Sequence, residues 1–501
     1  MKIRSLLASL IALSVAGVQT AQAEIKLPNI FSDHMVLQQG QENNIWGKGD
    51  AGETVTISIS DKTVTTKADD KGDWKAKLPA LGLGQPLTLK VSGSSTVEIK
   101  DVLIGEVWIC SGQSNMQWSI DASNDADLEK LASNYPGIRM INFPQIGTQE
   151  VIWSHDDRKW QVTSPATLGG FSAVGYFFAR QIHQTTGVPV GMINNAWGGS
   201  SCEGWIDREI VGKDFPKLLE RWVGLESQFE ALNAKQNRTE EENKQLGAIN
   251  GQMRGNARPG NIYNGVLASH VGYGIRGAIW YQGESNASRA YQYRELFPRM
   301  IKNWRDIWGQ GDFPFYWVQL ADFTAENTQP VDSDWAELRE AQTLAMDVVP
   351  NSGQAVIIDI GEGKDIHPTN KEDVGKRLAR WALAKEYGQD IAFQSPRFES
   401  VEKVDGKLIV KFNHVGNGWR PFDVNEVRGF TIAGEDKKFY NATAKILPDK
   451  RIEVSAPEVA SPVSVRYGWA NNPIVNLFSQ NGLPLTPFRS DDWPGVTANR
   501  D

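Results

Sequence analysis

The segment "GEVWICSGQSNM" (residues 105–116) decides the fold class of this chain. Its apolar run, residues 107–110, has the composition of a buried strand and stops abruptly at a Ser-Gly-Gln-Ser-Asn sequence. Strands that are apolar on both faces are typical of parallel sheets covered by helices on both sides. In such sheets, ligands bind beyond the carboxyl ends of the strands, which is where these serines lie. The segment therefore predicts an α/β fold with a functional loop at the tip of one strand.

Similar apolar runs recur downstream and alternate with helical patterns. The runs predicted to be further strands of the sheet are "IRMINF" (138–143), "VGMINNAW" (190–197), "IRGAIWYQG" (275–283), "FPFYWVQLA" (313–321) and "QAVIIDIG" (354–361). Helices are predicted between them in residues 173–187, 293–309 and 372–388. Residues 369–372 ("TNKE") have the capping-box pattern that opens the last of these helices. The alternation predicts an α/β domain over residues 101–389 with right-handed crossovers.

The segments on either side of this domain have the pattern of β-strands. Residues 24–100 contain short runs that alternate apolar and polar residues between turn sequences, which predicts a small β domain, a sandwich. Comparable runs return later and predict a C-terminal β region, residues 390–501, packed on the core. Residues 213–255 are polar and helix-prone, and we interpret them as a helical insertion over the edge or mouth of the sheet. A solvated hairpin and a substrate-facing lid both fit that composition.

The composition argues against several classes of partner. The chain has 501 residues, 40% of them hydrophobic, and this length is enough for roughly two to four packed domains. The net charge is −8 and no basic block occurs, so neither nucleic acid nor an anionic membrane surface is expected as a partner. The 18 tryptophans are a high number, and aromatic rings of this kind often line carbohydrate sites.

The first 23 residues have the features of a secretory signal peptide. Lys2 and Arg4 form a positive start, residues 6–18 an apolar core too short to span a bilayer comfortably, and residues 21–23 ("AQA") a cleavage site. No later segment approaches the apolar length of about 18 residues that a membrane span needs. We therefore expect an exported protein, periplasmic or extracellular, without a membrane partner.

Four strand tips of the predicted sheet carry hydroxyl, amide, imidazole or small residues. They are Ser114 in "SGQSN", Gly198-Gly199 in "WGGSS", residues 283–286 ("GESN") and His367 in "DIHP". This set suggests acyl transfer, because a serine hydroxyl needs an imidazole to take its proton and glycine-rich turns can offer a backbone N–H to an oxyanion. Of the six histidines, only His367 lies at a strand-to-helix tip. Turn serines and a helix-capping histidine would explain the same residues, so the residues alone leave both interpretations open.

No metal or cofactor is predicted. The sequence contains no HExxH motif, no Asp-rich calcium loop, no Walker loop and no GxGxxG fingerprint. Its two cysteines are too few for a cysteine-based metal site. The nucleophile segment also differs from the GxSxG elbow of α/β-hydrolases, because Met116 occupies the second glycine position.

Four blocks of the sequence resemble, in their order, a known esterase family. The blocks are "GEVWICSGQSNM", "NNAWGGS", "WYQGESNA" and "DIGEGKDIHPTNKEDVGKRLA", and the likeness extends from "LPNIFSDHMVLQQ" to "FNHVGNG". They resemble the sialate O-acetylesterase family of SGNH-type carbohydrate esterases. The resemblance implies a flavodoxin-like, three-layer α/β/α domain with flanking β-sandwich regions. It also implies a metal-free serine esterase that removes O-acetyl groups from sugars, with 9-O-acetyl sialic acid as the expected substrate.

The resemblance also implies roles for individual residues. Ser114 matches the nucleophile and His367 the base, and Gly199 (or Gly198) matches the backbone donor that completes an oxyanion hole with the Ser114 N–H. Many relatives carry Gly-x-Asn-Asp in the third block, where this chain has "GESN". The side-chain donor to the oxyanion is then expected to be Gln282 or Asn286.

The acid of the expected triad is less well defined by the resemblance. The usual position, three residues before the histidine, is Lys364. Asp365 is two residues before the histidine and is the expected acid. Glu362, Asp359 or a backbone carbonyl are alternatives for orienting the imidazole, and a dyad without an acid is a further one.

The expected partner is an O-acetylated carbohydrate. An acetylxylan or other glycan esterase and a non-catalytic carbohydrate-binding protein are the competing hypotheses. In the resembled fold the loops of Cys110 and Cys202 are neighbours, which makes a Cys110–Cys202 disulfide an alternative to two buried thiols. The sequence does not define the oligomeric state.

Overall fold

The computed structural model describes residues 24–500, and most of its N-terminal strands are joined directly or through neighbouring strands to one long strand. The strands of this region are β1 (Val36–Gln38), β2 (Asn43–Lys48), β3 (Thr54–Ile59), β4 (Lys62–Lys67), β5 (Asp73–Leu78), β6 (Leu87–Ser92) and β7 (Thr96–Gly112). Strand β3 pairs with β4 and β6, and β2 pairs with β5, all antiparallel. Strand β7 pairs with β6 near its start and with β1 farther on. The boundary predicted between residues 100 and 101 therefore falls inside a continuous strand.

The following region alternates strands and helices, as the sequence predicts. Its elements are α1 (Ser114–Gln117), α2 (Ala126–Ala132), β8 (Tyr135–Asn142), β9 (Gln161–Thr163), α3 (Ala173–Thr186), β10 (Val190–Asn194), α4 (Arg208–Asp214), α5 (Pro216–Ala234), α6 (Glu240–Met253), α7 (Asn261–Gly265), β11 (Gly277–Tyr281), α8 (Ala290–Trp308), β12 (Phe315–Val318), α9 (Asp334–Val348), β13 (Ser352–Ala355) and α10 (Lys371–Lys385). The strand order across the sheet is β13-β12-β11-β7-β10-β8-β9, with parallel pairs except the antiparallel β8–β9 pair. The predicted α/β class is confirmed.

Two apolar clusters cover the two faces of this sheet. Successive residues of β7 alternate between them: Val107 packs in one cluster and Trp108 in the other. Helices α3 and α10 supply Phe178 and Trp381 to the cluster that contains Trp108, whereas α8 supplies Trp304 to the opposite one. Burial on both faces explains why β7 is apolar at every position from 107 to 110, and it places the strand tips at one edge of the sheet.

The start of α10 corrects the capping prediction. The N-cap residue is Asn370, whose side chain accepts a hydrogen bond from the Asp373 N–H at 3.2 Å. Thr369 instead donates its backbone N–H and its hydroxyl to Glu362 at 2.7 and 2.6 Å. The difference of one residue makes Lys371 the first residue of the helix.

Of the two alternatives expected for the cysteines, a disulfide or two buried thiols, the structure has the thiols. Both are buried free thiols. Cys110 packs in the cluster of Trp108, while the sulfur of Cys202 lies 3.7 Å from that of Met300 in the cluster on the other face. The sheet therefore separates the two side chains.

The C-terminal region consists of short antiparallel strands around its own apolar cluster. They are β14 (Arg397–Val404), β15 (Lys407–Asn413), β16 (Trp419–Pro421), β17 (Phe430–Ala433), β18 (Phe439–Asn441), β19 (Thr443–Ile446), β20 (Ile452–Ser455), β21 (Ser464–Tyr467), β22 (Leu477–Ser479) and β23 (Phe488–Arg489). The predicted insertion, residues 213–255, contains α5 and α6. Between residues 24 and 500, no helix combines the length and the apolar character needed to cross a membrane.

Candidate active site

The serine of the opening segment lies directly beyond the tip of β7. Gly112 has φ +129°, and a Cβ added there would lie 2.1 Å from the carbonyl oxygen of Tyr281 on the neighbouring strand β11. Glycine is therefore required where the end of β7 closes against β11. The Gln113 N–H donates to the same Tyr281 carbonyl at 2.9 Å, and α1 then begins at Ser114.

The loop between β13 and α10 brings a histidine to this serine. The Nε2 atom of His367 lies 2.8 Å from the Ser114 hydroxyl. Its Nδ1 atom lies 3.1 Å from a carboxylate oxygen of Asp365, and that oxygen also accepts the backbone N–H of His367 at 2.9 Å. An Nδ1–H that donates to the carboxylate leaves Nε2 free to accept the serine proton. The arrangement has the geometry of an acid–base–nucleophile triad.

The alternative acids have other partners. Asp359 forms a two-pronged ion pair with Arg377, with distances of 2.6 and 2.7 Å. Glu362 accepts both hydrogen bonds of Thr369 described above. Asp365 is therefore the carboxylate that contacts the imidazole, and its side chain is 54% exposed.

The glycine pair after β10 lies against the nucleophile. A Cβ on Gly198 would be 3.3 Å from that of Ser114, which shows how closely the two turns approach. The Gly198 N–H is already donated to Gln117 at 2.8 Å. The N–H groups of Gly199 and Ser114, in contrast, have no hydrogen-bond acceptor within residues 24–500. N–H groups that are free in this way, on two turns that approach each other at a serine, are the kind of donor that an oxyanion hole requires.

The two amide side chains predicted as the third donor point elsewhere. Gln282 is fully buried and donates to the Ser200 carbonyl at 3.1 Å and to Asn286 at 2.7 Å. Asn286 is also buried and donates to Glu203 at 3.0 Å. These bonds fix the loop after β11 against the loop after β10. The structure thus gives both amides a role in the framework and brings neither of them to Ser114.

Residues 104–244 and 248–384, more than half of the chain, match the sequence profile of a carbohydrate esterase family, the sialic acid-specific acetylesterases. The chain belongs to this family. The resemblance of the four blocks is thereby confirmed, and the acetylesterase is a carboxylic ester hydrolase as predicted.

Individual relatives agree with this assignment. The acetylesterase is 28% identical to the sialate O-acetylesterase of Mus musculus over 433 residues, which cover 78% of this chain and 80% of the mouse protein. It is 24% identical to the sialate O-acetylesterase of Homo sapiens, with 96% of each chain covered. Among solved structures, a carbohydrate acetylesterase from Xanthomonas citri is similar, with 36% identity and a TM-score of 0.82. That comparison covers 94% of this chain and 100% of the other.

Sequence reasoning missed three residues that lie around Ser114 and His367 in the acetylesterase. The indole of Trp118 stacks on the His367 ring with centroids 4.6 Å apart and planes at 14°. Asn115 donates to the carbonyl of Ile366, the residue before His367, at 2.9 Å. Gln113 is 3% exposed and accepts the N–H groups of Gly283 and Ser285, while its own amide nitrogen donates to no residue of the described chain. Their position within or next to the "SGQSN" motif was the only available signal.

Two buried charged groups lie beside the catalytic loops. Burial lowers the pKa of Lys371 to about 7 and raises the pKa of Glu284. Both contact Asn115: Lys371 donates to its oxygen at 2.5 Å, and Glu284 accepts from its nitrogen at 2.7 Å. Within residues 24–500, no group of three or more His, Cys, Asp or Glu side chains is arranged to hold a metal ion.

A cleft of about 760 Å³ lies next to the helical insertion. It is lined by residues 145–152, which follow β8, and by side chains of the helical insertion and the segment after it, including Phe229 and Arg254. Asn256, two residues after Arg254, donates to the carbonyl of Gly198 at 2.5 Å. The segment directly after the insertion is thus joined to the loop that carries the candidate oxyanion donor.

Proposed function

We propose that the acetylesterase removes O-acetyl groups from sugars with Ser114 as nucleophile, His367 as general base and Asp365 as the carboxylate that orients it. The observation that carries this proposal is the 2.8 Å contact between the Ser114 hydroxyl and Nε2 of His367. A serine attacks an ester at neutral pH only when such a base takes its proton.

The reaction follows from this geometry in two steps. Ser114 attacks the acetyl carbonyl while His367 takes its proton, and the N–H groups of Ser114 and Gly199 bind the oxyanion, each contributing about 3 kcal/mol. His367 then gives the proton to the leaving sugar oxygen, and an acetyl-Ser114 ester remains. Water attacks this ester with His367 again as base, and acetate is released. We assign the third, side-chain donor to Gln113, the residue before the nucleophile, because its amide N–H groups have no acceptor within residues 24–500.

The S114A variant tests the nucleophile. We expect its hydrolysis of p-nitrophenyl acetate to fall at least about 1,000-fold, because the remaining groups cannot form the acetyl-enzyme. S111A is the matched control: Ser111 lies three residues earlier, and its buried hydroxyl has no hydrogen-bond partner in the described chain, so its removal should leave activity unchanged. Folded S114A with wild-type activity would refute the assignment.

We propose an O-acetylated acidic sugar, such as 9-O-acetyl sialic acid, as the substrate. Arg254 lines the cleft described above, two residues before the Asn256 that contacts Gly198. It is exposed and forms no ion pair within residues 24–500. A free guanidinium is suited to bind the carboxylate of such a sugar in a bidentate manner. The mouse and human relatives carry the name sialate O-acetylesterase, which agrees with this substrate class.

Acetate release from O-acetylated sialic acids, acetylated xylan and neutral acetyl sugars tests the substrate class. We expect the acidic sugars to be preferred, and R254A to raise KM for them about tenfold while leaving p-nitrophenyl acetate hydrolysis unchanged. R221A is the control, because Arg221 is an exposed arginine of α5 outside the residues that line the cleft. A preference for acetylated xylan that R254A does not alter would favour the plant-glycan alternative.

We further infer an SGNH-type three-layer domain with flanking β-sandwiches, and export of the protein. The tips of β7, β10 and β11 and the loop after β13 carry the four sequence blocks in SGNH order, which supports the first inference. Flanking strands that do not form facing sheets in a crystal structure would contradict it.

The inference of export rests on the predicted signal peptide, which lies outside the described residues. N-terminal sequencing of the mature protein should begin at Glu24.

A further inference from the structure

A lysine is buried beside the catalytic residues without a carboxylate in contact. Lys371 is 1% exposed, and the side-chain oxygen of Asn115 is the acceptor of its ammonium group, at 2.5 Å. The ammonium otherwise faces aromatic rings, 5.7 Å from the ring centroid of Trp118 and 5.5 Å from that of Tyr281. No acidic side chain of the described residues lies within ion-pair distance of it. A buried cation of this kind is costly, so its contacts need an explanation.

Asn115 connects Lys371 to the catalytic histidine. Its nitrogen donates to the carbonyl of Ile366 at 2.9 Å and to Glu284 at 2.7 Å. An ammonium group can only donate hydrogen bonds, so the oxygen of the Asn115 amide, and not its nitrogen, must face Lys371. The orientation of the amide, and with it the hydrogen bond to the residue before His367, therefore depends on Lys371.

The second contact of Lys371 leads to the same histidine. Trp118, whose ring faces the ammonium, is the residue that stacks on the His367 imidazole at 4.6 Å. His367 is thus held in two ways: Asn115 bonds the carbonyl of the preceding residue, and the Trp118 ring stacks on the imidazole. Lys371 contacts both Asn115 and Trp118. Displacing a reacting group by about 1 Å costs on the order of 100-fold in rate.

We propose that Lys371 is a positioning residue of the esterase reaction: through Asn115 and Trp118 it holds the His367 imidazole in line with the Ser114 hydroxyl. The proposal rests on the function proposed above. Glu284 is the acidic member of the network, and within residues 24–500 one of its carboxyl oxygens is buried without a hydrogen-bond partner.

The K371M variant tests this role with a side chain of similar length and no donor. We expect kcat for p-nitrophenyl acetate to fall about 10- to 100-fold with KM changed less than about threefold. The melting temperature should not fall, because replacing a buried charge by an apolar group is often neutral or stabilising. K371R, which keeps a cation, should recover part of kcat. K376M is the matched control on the same helix, since the Lys376 side chain is 44% exposed and paired with Glu372 at 2.9 Å.

Three outcomes would overturn the proposal. They are a folded K371M with kcat within about twofold of wild type, a rise of KM that accounts for the whole loss, and a K371R as inactive as K371M although folded. If K371M does not fold, N115A decides: its kcat must fall at least about tenfold with little change in KM, and a wild-type kcat would exclude the relay. S114A is measured in parallel, because an active S114A would refute the proposed function itself, whereas an inactive S114A beside an active K371M refutes only this inference.

Discussion

Asp365 contacts the catalytic imidazole from a position that is half open to solvent. The oxygen that faces Nδ1 of His367 also accepts the backbone N–H of the same residue, so one carboxylate oxygen serves two donors. Water screens an exposed carboxylate strongly, which reduces the charge stabilisation that it can give to the imidazolium. The Trp118 ring stacked on His367 adds a contact that favours the protonated, cationic form of the imidazole. Orientation of the imidazole is therefore shared between an exposed acid and an aromatic face.

The D365A variant should accordingly lose less activity than variants of buried triad acids. We expect kcat to fall about 10- to 100-fold, against about 10,000-fold for a buried triad aspartate. D365N should retain more activity, since its amide oxygen can still accept from Nδ1. D390A, a change at an exposed aspartate outside the site, is the control. A loss equal to that of S114A, or no loss at all, would contradict the shared orientation.

The meeting of Ser114 and His367 could be predicted from the sequence, but the residues that surround them could not, for a physical reason. Ser114 and His367 follow strands whose apolar runs are visible in the sequence, so their meeting at one sheet edge could be predicted. Lys371 opens a helix, and lysines there usually face water; its burial depends on Trp118 and Tyr281 from distant elements. Local patterns contain no such tertiary information.

At the scale of elements, the junction of β7 and β11 controls the nucleophile turn. The positive φ of Gly112 and the Tyr281 carbonyl behind it leave no room for a side chain. Any residue with a Cβ must separate the two strand tips or distort the turn that begins at Gln113.

The G112A variant should therefore be both less stable and less active. We expect the free energy of unfolding to fall by at least about 2 kcal/mol, from backbone strain and the clash with Tyr281. Denaturant unfolding followed by fluorescence measures this change. G82A is the control, because Gly82 is an exposed glycine with open space around its Cβ position. Equal stability of the two variants would show that the strand tips can separate without cost.

Element pairing also explains where prediction failed. The amides of Gln282 and Asn286 follow β11 as the third block requires, but residues 200–203 of the neighbouring loop take their hydrogen bonds. The change of sequence pattern after residue 100 predicted a domain boundary there, whereas Asp101 adopts φ +54° inside β7 and the strand continues. In each case the deciding partner lies on another element, which a single sequence does not reveal.

At the scale of the whole molecule, one arginine joins the catalytic and C-terminal regions. Arg339 of α9 is fully buried, and its guanidinium donates to carbonyls of both regions. The acceptors are Leu320 and Ala321 in the α/β region and Ala470 and Asn471 in the C-terminal region, at 2.6 to 2.8 Å. Without the C-terminal region a buried charge would lose half of its acceptors, which is strongly destabilising.

A chain that ends at residue 389 should consequently fail to fold. We expect residues 24–389 to aggregate and to be inactive. Size-exclusion chromatography measures the aggregation, and acetate release measures the activity. The control is the full chain carrying a protease site in the exposed segment at residues 388–390, cleaved after folding. The cleaved protein keeps Ala470 and Asn471 in place and should remain active. An active, monomeric fragment 24–389 would contradict this dependence.

The continuity of β7 limits how this esterase can exchange parts with its relatives. The strand begins in the ladder with β6, pairs Val36 with Leu103 midway, and ends two residues before the nucleophile. A genetic crossover between residues 36 and 112 would take β7 and its partners β1 and β6 from two different parents, although these strands must pair in register. Functional chimaeras should therefore inherit residues 36–114 from one parent, although this segment spans two predicted domains.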